Sequence, residues 1–237
     1  MRFAPIHLLR LMRVGFVLAR EGAFALVDPR EAPPGVGALV QLARLFEKRG
    51  ASSSAEGLVA ALTRLGPSYI KLGQFMATRP DVVGVRVARD LEKLQDRIPP
   101  FGRAAAVKEI EESFGKPLDA LYSEFSEPIA AASIAQVHRA RTLSGETVAV
   151  KVLRPGVRTR FRRDLAAMAY AAGVMEEFSA EARRLKFVDV VETLKRSVTM
   201  EMDLRLEAAA LSEMAENAHD DAEFHVPSIN WDLTARD

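Results

Sequence analysis

The chain changes its hydrophobic period near residue 117, and this change limits the folds that it can adopt. Before that point, apolar residues recur at three- and four-residue spacing, as amphipathic helices require. After it, residues 129–155 (IAAASIAQVHRARTLSGETVAVKVLRP) alternate apolar and polar positions around an LSGE turn, which predicts a small antiparallel sheet. Helical spacing returns at 157–219 with a break near 178–187, and 224–237 is predicted to form one or two short strands. The helices predicted before the change are 5–20, 36–49, 54–78, 84–96 and 103–114.

Composition excludes several classes of function. The 237 residues are 49% hydrophobic, enough to bury a core, and 33 basic against 32 acidic residues give no electrostatic argument for nucleic-acid binding. The absence of cysteine excludes disulfides, thiolate catalysis and Cys-ligated zinc. The histidines have no metal-site spacing, so we expect no metal site; they are His7, His138, His219 and His225.

The first predicted helix is amphipathic and basic. Arg10, Arg13 and Arg20 interrupt its apolar positions, so it lacks the roughly 18 uninterrupted apolar residues that a bilayer span needs. Two interpretations remain open for it. The helix either docks on its own domain or lies on an anionic membrane surface.

A second helix carries polar residues where none is expected. In GPSYIKLGQFMATRPDVVG, residues 66–84, Lys71 and Gln74 lie one helical turn apart within an otherwise apolar amphipathic segment. A lysine on such a face must find a counter-charge if it is buried. This pattern indicates that the helix faces more than a hydrophobic core.

A third feature combines a strand lysine with a run of small residues. Lys151 shares one face of the strand TVAVKV with Thr147 and Ala149, while the valines face the other way. A lone strand lysine is usually a solvent-exposed residue. The preceding hairpin arm, however, contains AAAS at 130–133, here called the alanine loop, where a nucleotide-binding fold would place a phosphate-covering loop. Alanine restricts positive φ, so this loop should be stiffer than a glycine-rich one.

Acidic residues cluster late in the chain. If 190–216 form one helix, Asp203 and Glu207 share a face and Glu201 lies on another. A buried lysine on a strand needs a counter-ion, and a helix acid that faces the sheet is the usual kinase solution. The alternative is a solvated helix face on which Arg205 pairs with Glu201.

Taken in order, these motifs resemble one known family. The stretches YIKLGQFMATRPD with LEKLQDRIPPF, then EPIAAASIAQVHRA, VAVKVLRPGV and EMDLRLEAAALSE, are similar to those of the UbiB (AarF-type) atypical protein-kinase-like proteins of ubiquinone biosynthesis. The resemblance implies an α+β fold, with a small antiparallel sheet and helix C of a kinase-like N-lobe preceded by a family-specific helical extension. The expected domains are the extension at 1–115 and the N-lobe at 116–237.

The resemblance also implies roles for single residues. The Lys-x-Gly-Gln helix would lie over the active site and block protein substrates, with its lysine meeting the Glu-x-Asp pair. The implied catalytic residues are Lys71, Gln74, Glu201 and Asp203. Lys151 would be the nucleotide-phosphate lysine and Glu207 its helix-C partner, and the loop over the phosphates would be formed by Ala130, Ala131, Ala132 and Ser133.

The function implied is that of a kinase-like ATPase which supports ubiquinone biosynthesis, accessory to polyprenylphenol hydroxylation. ATP or ADP is the implied cofactor, and isoprenoid lipid precursors or biosynthetic enzymes at the bacterial inner membrane, on its cytoplasmic side, are the implied partners. The sequence shows no segment like the catalytic loop or DFG element of a second lobe, so we expect Mg²⁺ to bind only when that lobe is present. The competing hypothesis is a non-catalytic module that docks with a partner or a lipid.

Overall fold

The computed structural model describes residues 5–26, 36–48, 55–94, 98–219, 221 and 225–237. These residues form eleven α-helices and one sheet, and the chain divides into two compact units, 1–96 with 159–195 and 97–158 with 196–237. The helices are α1 (Pro5–Arg20), α2 (Val36–Arg44), α3 (Ala55–Leu65), α4 (Pro67–Ala77), α5 (Pro80–Val83), α6 (Val85–Leu91), α7 (Arg103–Phe114), α8 (Val157–Phe178), α9 (Ala180–Leu185), α10 (Phe187–Glu201) and α11 (Leu204–Asn217).

The helix predicted at 54–78 is two helices in the structure, so that prediction was wrong in this respect. Gly66 separates α3 from α4 with a φ of 99°, a conformation that L side chains rarely adopt, and Pro67 then starts α4. Arg160 of α8 donates from Nη2 to the carbonyl of Leu65 at 2.9 Å, so it satisfies a carbonyl at the end of α3. A Cβ on Gly66 would lie 2.5 Å from that same Nη2, so a larger residue would displace the Arg160 side chain as well as strain the backbone.

The face that α4 buries depends on a glycine. The buried residues of this helix are Pro67, Ser68, Tyr69, Ile70 and Gly73. A Cβ on Gly73 would overlap Cδ1 of Leu94 and lie 2.7 Å from Cδ1 of Leu62, both of which are buried. The small residue therefore lets α4 approach its neighbours closely, and this contact fixes where the Lys-x-Gly-Gln residues lie within the first unit.

The second unit contains the predicted antiparallel sheet, with strands β1 (Tyr122–Ala131), β2 (Ala135–Thr142) and β3 (Thr147–Leu153) in that order. Gly145, with a φ of 90°, lies in the turn that joins β2 to β3, as the LSGE stretch predicted. Helix α7 covers one face of the sheet. The core between them is formed by Ala106, Ile110, Leu121, Tyr122, Ala140 and Val152. The α+β class, with a small antiparallel sheet and a helical extension, is thus confirmed.

Two further predictions of secondary structure were wrong. The helix expected over 190–216 ends at Glu201 and begins again at Leu204, because Asp203 takes an extended conformation and caps α11. The strands expected over 224–237 are not found in the described part, 225–237, which instead holds a short 3₁₀ turn at Trp231–Leu233. The domain boundary at residue 115 stays a prediction.

We predict that Gly73→Ala lowers the free energy of unfolding by about 1–3 kcal/mol, because the added methyl overpacks the contact with Leu62 and Leu94. Gly15→Ala is the matched control, since Gly15 also lies in a helix of the first unit but has no atom near its Cβ position. It should be neutral or stabilising by up to ~1 kcal/mol through helix propensity. Urea denaturation followed by circular dichroism measures both, and equal effects of the two substitutions would contradict the packing role of Gly73.

Candidate functional site

The register of the sheet brings the strand lysine and the alanine loop onto one face. Ala130 on β1 lies opposite Val137 on β2, and Val137 lies opposite Lys151 on β3. Residues directly opposite each other in an antiparallel pair point to the same side, so this row crosses the sheet on the face away from the core. Two strand spacings separate Ala130 from Lys151, a backbone distance of roughly 10 Å. A row of small side chains that ends in a cation can accommodate an anionic ligand.

Lys151 is held by a carboxylate from α11. Its Nζ lies 2.7 Å from Oε1 and 2.6 Å from Oε2 of Glu207, so the ammonium bridges both oxygens. The close approach of these two side chains, which the family resemblance implied, is therefore observed. The side chains are 36% and 43% exposed, so the pair is not dry and contributes only about 0–1 kcal/mol to folding. Its consequence is orientation, because the two contacts with the Glu207 carboxylate fix the position of the ammonium at the end of the Lys151 side chain.

The alanine loop is closed by backbone hydrogen bonds. The amide of Ala132 donates to the carbonyl of Ala135 at 2.8 Å, which turns the chain from β1 into β2. Ala130 is exposed and Ala131 and Ala132 are half-buried, whereas Ser133 is fully buried. The Ser133 hydroxyl has no hydrogen-bond partner among the described residues. A buried hydroxyl without a partner disfavours this loop conformation, so other contacts must hold the loop in place.

Asp203 performs a local structural task at the break between α10 and α11. Its Oδ1 accepts from the amide of Arg205 at 3.2 Å, and the Arg205 guanidinium donates to both carboxylate oxygens, at 3.0 and 2.8 Å. The Arg236 guanidinium lies 3.8 Å away. The hydrogen bonds from Arg205 lower the pKa of Asp203 from an ordinary 3.8 to about 2. Arg205 thus pairs with Asp203.

The remaining implied catalytic residues belong to different units. Lys71 and Gln74 lie half-buried on α4 in the first unit, where the Gln74 amide donates weakly to the carbonyl of Leu94 at 3.5 Å. Glu201 ends α10 in the second unit, one residue before the break. The predicted pairing of Lys71 with Glu201 or Asp203 stays a prediction.

Two arginines that the sequence did not single out hold the second unit together at this site. Arg158, in the first turn of α8, donates to the carbonyl of Met202 and to that of Arg236 and pairs with the Asp237 carboxylate. Arg154, immediately after β3, binds backbone carbonyls beside the alanine loop. Their partners lie 22 to 79 residues away, so no local sequence pattern could have revealed these contacts.

Two features are absent from the part of the chain that the structure describes. No group of three or more His, Asp or Glu side chains in this part of the chain is arranged to hold a metal ion. Among the same residues, no helix is long and apolar enough to cross a bilayer.

Comparison with known proteins identifies the class to which this fold and site belong. A family model described as the ABC1 atypical kinase-like domain matches residues 93–237, more than half of the chain. In fold, the chain resembles a Mycobacterium tuberculosis protein, Rv3197, solved in complex with erythromycin. That match has a TM-score of 0.52 and 32% sequence identity, and it covers 77% of this chain and 46% of the other.

Curated relatives narrow the class further. The protein named "Probable protein kinase UbiB" from Marinobacter nauticus is 38% identical over 233 residues, which are 97% of this chain and 42% of that protein. Its namesake from Azotobacter vinelandii is 40% identical over 228 residues, which are 94% of this chain and 42% of that protein. The chain belongs to the ABC1 atypical kinase-like family, and these curated relatives are UbiB proteins, so the resemblance seen in its motifs is confirmed. It spans about two fifths of the length of these bacterial relatives.

We predict that Ser133→Ala raises the free energy of unfolding by about 1 kcal/mol or leaves it unchanged, because it removes a buried hydroxyl that has no partner. Ser126→Ala is the control, since its hydroxyl accepts a hydrogen bond from the amide of Arg139 at 3.0 Å, and its loss should destabilise. Thermal and urea denaturation measure both variants. Clear destabilisation by Ser133→Ala would show that the hydroxyl has a partner after all.

The lowered pKa of Asp203 predicts a pH dependence of stability. A carboxylate whose pKa is depressed in the folded state stabilises the fold fully above its ordinary pKa of 3.8, and this contribution is lost as the pH falls toward 2. Asp203→Asn keeps a capping oxygen but removes the charge, whereas Asp203→Ala removes both, so Ala should destabilise more at neutral pH. In urea titrations, the stability difference between the parent chain and Asp203→Asn should stay constant above the ordinary pKa of 3.8 and shrink as the pH falls below it. A difference that does not depend on pH would contradict the ionic role.

Proposed function

We propose that this chain is the nucleotide-binding part of a kinase-like ATPase that acts in ubiquinone biosynthesis. The observation that supports this proposal best is the ion pair of Lys151 with Glu207 on the sheet face that also carries Ala130. Kinases bind ATP with this combination of a strand lysine, a helix glutamate and a loop over the phosphates. The names of the relatives, which are UbiB proteins called protein kinases, agree with it.

In this proposal each part of the site has one physical task. The Lys151 ammonium, positioned by Glu207, donates charge-assisted hydrogen bonds to the α- and β-phosphates of ATP or ADP. The backbone of Ala130, Ala131, Ala132 and Ser133 covers the phosphates, and its Cβ atoms restrict the loop to few conformations. Val137 and Ala149, on the same face of the sheet, leave space for the nucleotide.

Mg²⁺ is the expected companion of the nucleotide in a kinase-like protein, where it neutralises charge between the phosphates. In kinases its ligands come from the second lobe, so we propose that Mg²⁺ binding here requires such a lobe. Isoprenoid lipid precursors or enzymes of ubiquinone biosynthesis are the proposed targets, and Lys71, Gln74, Glu201 and Asp203 are the proposed residues of the family-specific catalytic element. The family resemblance supports these assignments.

Nucleotide binding to the second unit can be tested by titrating the 237-residue chain with ADP in a calorimeter. Lys151→Ala should raise the Kd for ADP by about tenfold or more, because a charge-assisted hydrogen bond to phosphate contributes about 1.5–3 kcal/mol. Lys108→Ala is the matched control, since this lysine of α7 is 74% exposed and its loss changes the net charge equally. Glu207→Gln should weaken binding less than Lys151→Ala does. Equal affinity of the Lys151→Ala variant and the parent chain would contradict the proposal.

A membrane surface is a second candidate partner, and the exposed face of α1 favours it. Leu9, Met12 and Phe16 are 62%, 53% and 49% exposed, and Arg10 and Arg13 lie on the same helix. Apolar side chains with interspersed arginines are typical of helices that lie on anionic lipid.

We predict that the chain sediments with vesicles that contain phosphatidylglycerol and not with vesicles of phosphatidylcholine alone, because the arginines of α1 attract anionic headgroups. Leu9→Ser with Phe16→Ser should abolish this binding. Val85→Ser is the control, since Val85 is an equally exposed apolar residue of the first unit at 68%. Binding that is the same for all variants would assign the interaction to another surface.

A further inference from the structure

One arginine joins the alanine loop to a chain segment that precedes the sheet. Arg154 donates to the Ala132 carbonyl from Nε at 3.1 Å and from Nη2 at 2.9 Å. The same Nη2 lies 3.2 Å from the carbonyl of Ile98 and 2.9 Å from that of Pro99. The guanidinium also lies 5.4 Å from the ring centroid of Phe101. The side chain of Arg154 therefore connects the loop to residues 98–101, here called the brace.

The partners of Arg154 are notable for their chemistry. Its hydrogen-bond acceptors among the described residues are all backbone carbonyl oxygens, and burial lowers the pKa of this guanidinium. Such contacts give less electrostatic stabilisation than a carboxylate would. They require the planar donor fork of arginine, because one group must reach three carbonyls in a fixed geometry. The hydrogen bonds of Arg154 thus fix the relative positions of these three carbonyls more than they add to the stability of the fold.

The brace is anchored a second time, at its other end. The side-chain carbonyl of Gln136 accepts from the Phe101 amide at 2.9 Å, and its NH₂ donates to the Phe101 carbonyl at 3.2 Å. The same NH₂ lies 2.8 Å from Nε2 of His138, whose Nδ1 lies 2.9 Å from the carbonyl of Ser126. Gln136 and His138 are fully buried and belong to β2. The brace is therefore fixed to β2 at Phe101. Arg154 connects its other end, Ile98 and Pro99, to the alanine loop.

The loop itself needs such a contact. The Ala132 amide already bonds to Ala135, and the buried Ser133 hydroxyl has no partner among the described residues. The observed loop conformation therefore includes an unfavourable element that must be offset. Arg154 supplies the side-chain hydrogen bonds that the Ala132 carbonyl accepts.

We propose that Arg154 is a positioning residue for the nucleotide loop, and that the brace sets how closely the loop approaches the nucleotide. Arg154 links the Ala132 carbonyl to the carbonyls of Ile98 and Pro99. Because Gln136 fixes the brace to β2, the brace holds the loop at a set distance from the nucleotide. This inference rests on the proposed nucleotide function, and it assigns a task to residues that do not contact the nucleotide.

Amide hydrogen exchange of the nucleotide-free 237-residue chain, read by mass spectrometry, tests directly whether Arg154 holds the loop in place. Arg154→Lys keeps the charge but loses the fork, and it should speed exchange in the peptide that covers residues 129–135 by about tenfold. Arg103→Lys is the matched control. Arg103 also donates to a backbone carbonyl, that of Phe125 at 3.1 and 3.3 Å, and lies 5.5 Å from a phenylalanine ring, but it does not contact the loop.

A second variant keeps the test decisive if Arg154→Lys folds poorly. Phe101→Leu keeps the backbone hydrogen bonds of the brace and keeps an apolar side chain against the core, but it removes the ring beside the guanidinium, so it should give a smaller increase in the same peptide. ADP titration of the same proteins should show a Kd raised about three- to tenfold by Arg154→Lys and unchanged by Arg103→Lys.

The outcomes separate the two proposals. Unchanged loop exchange in Arg154→Lys, or exchange accelerated equally throughout α7 and the sheet, would overturn the positioning role. If the parent chain fails to bind ADP, the proposed function and the nucleotide part of this inference both fail, and the exchange data still decide whether Arg154 holds the loop. If ADP binds and loses no affinity in a variant whose loop is mobile, the brace has no control over the site.

Discussion

The pairing register of the three strands is the constraint on which the site depends. It places Ala130, Val137 and Lys151 in one row on the open face, and Ala131, Gln136 and Val152 in the next row. Because side chains alternate along a strand, a shift of one residue would send Lys151 into the core and Val152 into solvent. The core beneath α7 therefore selects the register, and the register in turn determines where a cation and a loop of small residues can meet.

The site uses charge mainly for positioning. The ion pair of Lys151 with Glu207 is open to solvent, so its contribution to stability is small and its value lies in the direction that it gives the ammonium. Arg158 has a similar positioning role. It binds the carbonyl of Met202, between α10 and α11, and it also binds the carbonyl of Arg236 and the carboxylate of Asp237. Glu207 lies in the first turn of α11. The cap formed by Asp203 sets where this helix begins, and it therefore helps to position Glu207 for its contact with Lys151.

Local patterns predicted much of this fold, and long-range contacts account for what they missed. The helices at 5–20 and 103–114 and the hairpin turn were predicted correctly, because each is specified by its own apolar spacing and by its own Gly or Pro residues. The breaks at Gly66 and Asp203 were missed because apolar residues continue at helical spacing across both. The hydrogen bonds of Arg154 to the carbonyls of Ile98 and Pro99 were also missed, since they join residues 55 or 56 positions apart.

We propose that the nucleotide lies on the open face of the sheet, beside the alanine loop. Methyl NMR of a chain labelled at alanine methyl carbons measures this directly, because alanines lie on both sides of the sheet. On titration with ADP, the methyl signals of Ala130, Ala132 and Ala149 should shift, whereas those of Ala106 and Ala140 in the core should not. Shifts confined to the core alanines or to alanines of the first unit, or no shift at saturating ADP, would show that the nucleotide does not bind on this face.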